Sequence, residues 1–342
     1  MNLQLQSLSL CLSPGWLLST GMMLTGCSGI QSALDPAGPQ AGRISHLWWL
    51  IFAVCAVIFL LVIGFMLYAV LHSRRDASDG AGPELDRRMT TMVGGASLIT
   101  IVILFVFLLV SVWTGKSLSS LTAPQALTIE VTGHQWWWEV EYTDPVPSQR
   151  VTTANEIHIP VGQPIRLKLT SRDVIHSFWL PNLHGKRDLI PGHETILWLQ
   201  ADKPGIFRGQ CAEFCGYQHA HMSFIVVAEP SEQFFAWLDH QRRPAAPPTE
   251  AVAQRGQAVF LSAPCVMCHT IQGTTAGGTV APDLTHVVSR STLAAGTLPN
   301  TRGALASWIT DPQTIKPGNK MPQHDFAPDD LQALLTYLES LK

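Results

Sequence analysis

Two uncharged apolar runs limit what this chain can be more than any other feature. Residues 47–71 and 90–113 contain no Asp, Glu, Lys or Arg. Each is about 24 residues, roughly 36 Å as helix, enough to cross a hydrocarbon core of about 30 Å. The competing reading is a buried helix of a large globular core, and uniform apolarity over this length favours spanning. The runs also account for the composition: the chain is 46% hydrophobic and 14% charged over 342 residues, and the apolar excess is concentrated here. The connection between them carries Arg74, Arg75, Arg87 and Arg88. Positive charge marks the cytoplasmic side, so residues 44–115 form a hairpin whose two ends face outward. Everything after about residue 115 is then extracytoplasmic.

The first 26 residues are less regular. Leu8 to Leu24 is apolar but broken by Pro14 and Gly15, and no Lys or Arg precedes it. Leu24-Thr25-Gly26-Cys27 resembles a bacterial lipobox, which implies a signal segment over 1–26 and a lipid on Cys27. The alternative is an uncleaved N-terminus with an unmodified Cys27. Cys55, inside the first run, reads as a small buried hydrophobe. The net charge of −3, with no basic stripe beside the aromatics, excludes a nucleic-acid partner.

From 126 to 228 the apolar period becomes two: Leu127, Ile129 and Val131, then Ile157, Ile159 and Val161, then Ile165, Leu167 and Leu169. Further short runs follow at 174–180, 194–199 and 222–228, punctuated by Pro and Gly. Many short strands with turn signals predict a β-sandwich or barrel, here assigned to 125–230.

The last strand is preceded by the run Cys211-Ala212-Glu213-Phe214-Cys215-Gly216-Tyr217-Gln218-His219-Ala220-His221-Met222. Two thiols, an imidazole and a thioether in a dozen residues suit copper better than magnesium or calcium. His176, near a strand end, adds a second imidazole. The spacing lacks the second paired set of structural zinc sites. A mononuclear blue-copper site uses one thiolate, two histidines and a weak axial ligand. With two thiolates, Cys211 and Cys215 can bridge two coppers, His176 and His219 capping one each. Met222 and the carbonyl of Glu213 are the weak outer ligands. A disulfide between Cys211 and Cys215, or between Cys265 and Cys268, is the competing reading in an oxidising compartment.

Residues 231–240 read as a helix. The Pro-rich stretch 241–250 predicts a semi-rigid spacer, about 30 Å if extended at ~3.1 Å per residue. Beyond it, at 251–342, Cys265-Val266-Met267-Cys268-His269 is a C-x-x-C-H haem attachment motif. Cys265 and Cys268 would form thioethers and His269 would bind the iron. Beyond residue 250 the only methionines are Met267, inside the motif, and Met321. Met321 is therefore the sixth ligand, ahead of His286 and His324. Histidine–methionine ligation raises the haem potential. Charges in this segment balance, so steering onto an acidic partner gives way to tethering.

Taken together, these motifs resemble cytochrome-c oxidase subunit II of the haem–copper oxidases, with a class I cytochrome c fused at its C-terminus. Gly133-His134-Gln135-Trp136-Trp137-Trp138-Glu139, Asp173-Val174-Ile175-His176-Ser177-Phe178, Asp188-Leu189-Ile190-Pro191-Gly192 and the 211–222 loop carry the first resemblance, over roughly 40–230. Gly256-Gln257-Ala258-Val259-Phe260, Ala281-Pro282-Asp283-Leu284-Thr285 and a final helix near 328–341 carry the second. The resemblance implies a multidomain fold: a transmembrane hairpin, a cupredoxin-like all-β sandwich and an all-α cytochrome domain. It implies a dinuclear copper centre (CuA), covalent haem c and a magnesium held by the Glu213 side chain. Trp136 is, by the same resemblance, where electrons arrive at the copper.

The implied partners are oxidase subunits I and III, a cytochrome c or membrane electron donor, and lipid, in a bacterial plasma membrane. The chain would feed electrons to subunit I, which reduces dioxygen; two spans cannot house that reaction. One departure stands out. The family often places a Glu, then Trp-Thr and a Pro, at the start of the second helix. Here Asp86-Arg87-Arg88-Met89 lacks that pattern, which leaves the proton-input role unassigned. A quinol-oxidase subunit, an envelope copper carrier and a nitrous-oxide reductase relative are the rival readings. The copper ligands argue against the first, the fused haem motif and the hairpin against the second, and the hairpin without propeller repeats against the third.

Overall fold

The structure is a computed structural model, and it describes residues 28–72, 82–118, 123–124 and 126–342. The signal segment expected over 1–26, Cys27, and the arginines at 74 and 75 lie outside the described residues.

Helices α1 (Pro39–His72) and α2 (Pro83–Leu118) contain the two apolar runs. Each exceeds its run at both ends, because helical hydrogen bonding continues into polar flanks while hydropathy marks only the apolar stretch. Both are long and apolar enough to cross a membrane, with mean hydropathy 3.2 and 2.8. Phe59, Leu60 and Leu104 are 62%, 66% and 59% exposed. Side chains of that size stabilise a fold by about 1.5–3 kcal/mol each when buried, so nothing in the protein itself accounts for their position. The opposite end of α1 is fastened to the β domain: Ala37 N–H donates to Asn182 O (2.7 Å) and Ala41 N–H to Leu183 O (3.1 Å). The Arg43 guanidinium reaches Ser117 O at the end of α2. The start of α1 therefore meets the β domain, and the end of α2 is tied to α1 beside it. Arg87 and Arg88 lie in the first turns of α2, at the far end.

Ten strands form the sandwich: β1 (Thr128–His134), β2 (Trp137–Tyr142), β3 (Val151–Ala154), β4 (Glu156–Pro160), β5 (Ile165–Ser171), β6 (His176–Trp179), β7 (Lys186–Leu189), β8 (Thr195–Leu199), β9 (Gly205–Cys211) and β10 (Ser223–Glu229). One sheet runs β3-β2-β1-β5-β8 and the other β4-β10-β9-β6-β7. The β1–β5 and β10–β4 pairs are parallel, and the other pairs are antiparallel. Period-two patterning puts Ile129, Val131, Trp138, Val140, Ile165, Leu167, Leu169, Phe178, Phe224 and Val226 between the sheets, each fully or almost fully buried. Trp138, Phe178 and Phe224 pack edge-on and stacked at centroid distances of 4.2–6.0 Å.

Helix α3 (Ser231–Gln241) closes the sandwich with Phe234 and Leu238. The Pro-rich stretch is not a free spacer. Arg242 Nε donates to Gln149 O in the β domain, and Ala245 N–H donates to Gln272 O in the C-terminal domain. That last domain holds α4 (Ala251–Ser262), the short ribbon β11 (Thr292–Leu293) and β12 (Leu298–Pro299), α5 (Arg302–Thr310), α6 (Pro312–Ile315) and α7 (Pro328–Glu339). Phe260, Ile271, Leu305, Ile309, Leu334, Leu335 and Leu338 form its separate core. Helices α4 and α7 cross at Gly256, where an added Cβ would lie 1.9 Å from Ala333 O. Only glycine permits that approach.

Candidate metal centre and haem site

The β9 ladder delivers Cys211 opposite Phe178 of β6, two residues from His176. Ala212 N–H donates to Ser177 O and Cys211 N–H to Met222 O, which closes the 211–222 loop over the strand ends. Four donor atoms line up: His176 Nδ1 to Cys211 Sγ 3.9 Å, Cys211 Sγ to Cys215 Sγ 3.8 Å, and Cys215 Sγ to His219 Nδ1 3.7 Å. Met222 Sδ is 3.9 Å from Cys215 Sγ, and Glu213 O is 3.2 Å from Cys211 Sγ. The ligand atoms of His176, Cys211 and Cys215 lie within 4.8 Å of one another. The two cysteines are free, and their sulfurs stand well beyond the ~2.05 Å of a disulfide.

Electrostatics make this cluster receptive to cations. The contact between the thiols holds Cys211 well below the usual thiol range and pushes Cys215 well above it, so the pair shares one proton. A bound metal can replace that proton. Burial opposes the charge on Asp173, but hydrogen bonds from His176, Gln135 N–H and Val174 N–H outweigh it and hold the carboxyl at about 2. Asp173 Oδ1 meets His176 Nε2 at 2.8 Å, which turns Nδ1 toward the sulfurs. Gly133 leaves room for the ring: a Cβ there would come within 2.7 Å of His176 Cδ2.

The donor set fits copper. It holds sulfur and imidazole donors and no carboxylate, since the Glu213 side chain turns away to accept from Phe214 N–H (3.2 Å). The Glu213 carbonyl oxygen points to Cys211 Sγ and its carboxylate points away from the cluster. Trp136 lies behind the loop, and its Nε1 donates to Cys215 O (2.9 Å), as does Gln135 Nε2 (2.7 Å). Trp136 and Trp138 are buried, whereas Trp137 stacks on His134 at 4.4 Å. His221 is exposed and bonds Gln218. His158 sits between Glu156 and Glu229. Neither joins the cluster.

In the C-terminal domain a 3₁₀ turn, Pro264–Met267, presents Cys265. Cys268 N–H and His269 N–H both donate to Cys265 O, so the attachment motif is one tight turn. His269 Nδ1 donates to Pro282 O at 2.7 Å, leaving Nε2 for a ligand. Gly278 lies on the turn so closely that a Cβ would fall 2.5 Å from Met267 C. Met321 packs against the core of this domain, its backbone held by Asn319 and Gln313. His286 has both ring nitrogens facing backbone oxygens, of Lys342 and Arg243, so its ring is already engaged. A free thiol pair, an oriented imidazole and a thioether against one apolar core fit a covalently attached haem.

Sequence reasoning did not single out Asp173, Gly133 or Lys316. The three-residue spacing of Asp173 and His176 was the available signal for the first. Lys316, in the C-terminal domain, is 3% exposed, and its Nζ donates to Trp136 O (2.7 Å) and Ala294 O (3.0 Å). Burial lowers its pKa to about 7. No sequence pattern announces a contact between domains.

Residues 146–229 match the family described as the periplasmic domain of cytochrome c oxidase subunit II, and residues 253–342 match the cytochrome c family. Cytochrome c oxidase subunit 2 of Alkalihalophilus pseudofirmus is 36% identical over 330 residues, 94% of each chain. The protein of that name from Bacillus sp. PS3 is 32% identical over 72% of this chain and 73% of its own. A crystal structure of the periplasmic domain of cytochrome oxidase subunit II from Bradyrhizobium japonicum is 34% identical, covers 35% of this chain and 97% of that one, and has a TM-score of 0.33. With more than a third of its residues shared across nearly the full length of such a relative, the chain belongs to the cytochrome c oxidase subunit II family.

Proposed function

We propose that this chain is the electron-input subunit of a bacterial respiratory terminal oxidase, anchored in the plasma membrane by α1 and α2. Its two outer domains pass single electrons toward a catalytic subunit I that reduces dioxygen to water. Cys211, Cys215, His176 and His219 would hold a dinuclear copper centre, with Met222 and Glu213 O as its weak outer donors. When bound, the copper pair supplies a one-electron store whose charge is spread over two metals. Asp173 fixes the His176 ring, and the closed 211–222 loop keeps water from the sulfurs. Cys265 and Cys268 would attach haem c, and His269 and Met321 would hold its iron. Trp136, bonded to Cys215 O and through its carbonyl to Lys316 of the C-terminal domain, takes the role of electron port.

The observation that carries this reading is the unbroken run of donors from His176 to His219 through two free sulfurs. Phe214 and Tyr217, 76% and 93% exposed beside that run, suit coverage by another subunit. The outward Glu213 carboxylate suits a magnesium at such a boundary. Subunit III, and a cytochrome c or membrane-bound donor, complete the proposed assembly. Purification from membranes tests the reading: a many-span haem subunit should accompany this chain, with two coppers and one covalent haem on it. A chain that purifies alone and yields its copper readily to a chelator would instead be an envelope copper carrier.

A further inference from the structure

Trp136 is buried, 8% exposed, although it heads a surface turn between β1 and β2. The 211–222 loop covers one side of it, where its Nε1 bonds Cys215 O and a Cβ on Gly216 would stand 3.0 Å from the ring, and the C-terminal domain covers another. Lys316 Nζ donates to its carbonyl oxygen, and a Cβ on Gly318 would stand 3.8 Å from its ring. Around it the seam is sewn by further bonds: Gln218 Nε2 to Pro317 O (2.8 Å), Ser223 N–H to Ala295 O (3.0 Å), and Ser291 N–H to Glu156 Oε2 (3.0 Å). An ammonium inside protein is costly unless its hydrogens are bonded. Lys316 bonds one carbonyl in each domain, Trp136 O and Ala294 O, so its burial is satisfied only while the domains are together. The segment Lys316-Pro317-Gly318-Asn319-Lys320-Met321 then has the seat at one end and the proposed haem ligand at the other.

We infer that Lys316 is a positioning residue that seats the haem-bearing domain on the Trp136 face of the copper domain. The occupant of that face is this chain's own C-terminal domain, held in one pose by the Lys316 bonds. This rests on the proposed function. With haem and copper bound, the transfer it would position is a single electron from iron to copper, with no bond or proton changing place.

Lys316→Met, in the assembled and fully loaded complex, keeps the side-chain length and removes the charge. Two readings are taken. Exchange of the Ser223 amide, which is tied to Ala295 O, should speed up at least tenfold. Single-turnover electron transfer from haem to copper should slow at least tenfold, with the copper and haem absorption spectra unaltered. If either reading stays at the unsubstituted value, the seat is refuted. Should Lys316→Met fail to accumulate, Gly296→Ala wedges the same seam, since its Cβ would meet Ser223 Oγ at 1.9 Å. The same two shifts are expected, and their absence refutes the seat equally. An unsubstituted protein without two coppers and a covalent haem refutes the proposed function, whereas a loaded one with unmoved variants refutes only this inference.

Discussion

At the scale of single residues, the site depends on side chains that bind nothing. Asp173→Asn keeps the shape beside His176 but removes the charge that turns its Nδ1 toward Cys211. Copper affinity should fall by roughly 10–100-fold, read by competition with a chelator. Met321→Ala should abolish the low-spin spectrum of methionine-ligated haem, and an unaltered spectrum would assign the sixth position to a histidine. His184 gives a pH prediction. It is 7% exposed, its Nδ1 has no partner among the described residues, and burial, with Arg187 adding to it, lowers its pKa to about 4 from 6.5. The folded state therefore favours the neutral ring. The associated stability is complete above about pH 6.5 and is lost as pH falls toward 4, on the order of 3 kcal/mol. His184→Gln should flatten the dependence of thermal midpoint on pH in that window.

Among elements, two glycines set distances that larger residues would break. Gly256→Ala would force α4 and α7 apart against the Ala333 carbonyl and should cost on the order of 3 kcal/mol, seen as a lower melting temperature of the haem domain. Gly133 does the same for His176 between β1 and β6. Neither close approach can be read from local pattern, because glycine in a strand or helix signals only that something is near, not what. Other features were legible. Alternation at Ile129–Val131 and Ile165–Leu169 reports the buried faces of β1 and β5 directly, since side chains on a strand must alternate. The dozen residues from Cys211 to Met222 carry most of the copper site, because a loop that brings its own ligands together needs little from the fold. Only His176 comes from elsewhere, and its partner Asp173 lies three residues away.

On the scale of the whole molecule, the expected Pro-rich spacer is instead laid against both outer domains, and the haem domain sits on the copper domain. Composition reports flexibility of an isolated segment, and it carries no information about long-range bonds such as Lys316 to Trp136, 180 residues apart. The two outer domains have separate cores, so removal of 251–342 should leave copper binding intact. It should also abolish electron input through the attached haem while uncovering Trp136 to an external cytochrome c. Turnover that is unchanged with every donor would mean that the fused domain is not the route.

The most direct measurement is electron paramagnetic resonance of the oxidised, copper-loaded protein. A single unpaired electron shared by two equivalent copper nuclei is the predicted pattern. A spectrum of one isolated copper nucleus would contradict the account.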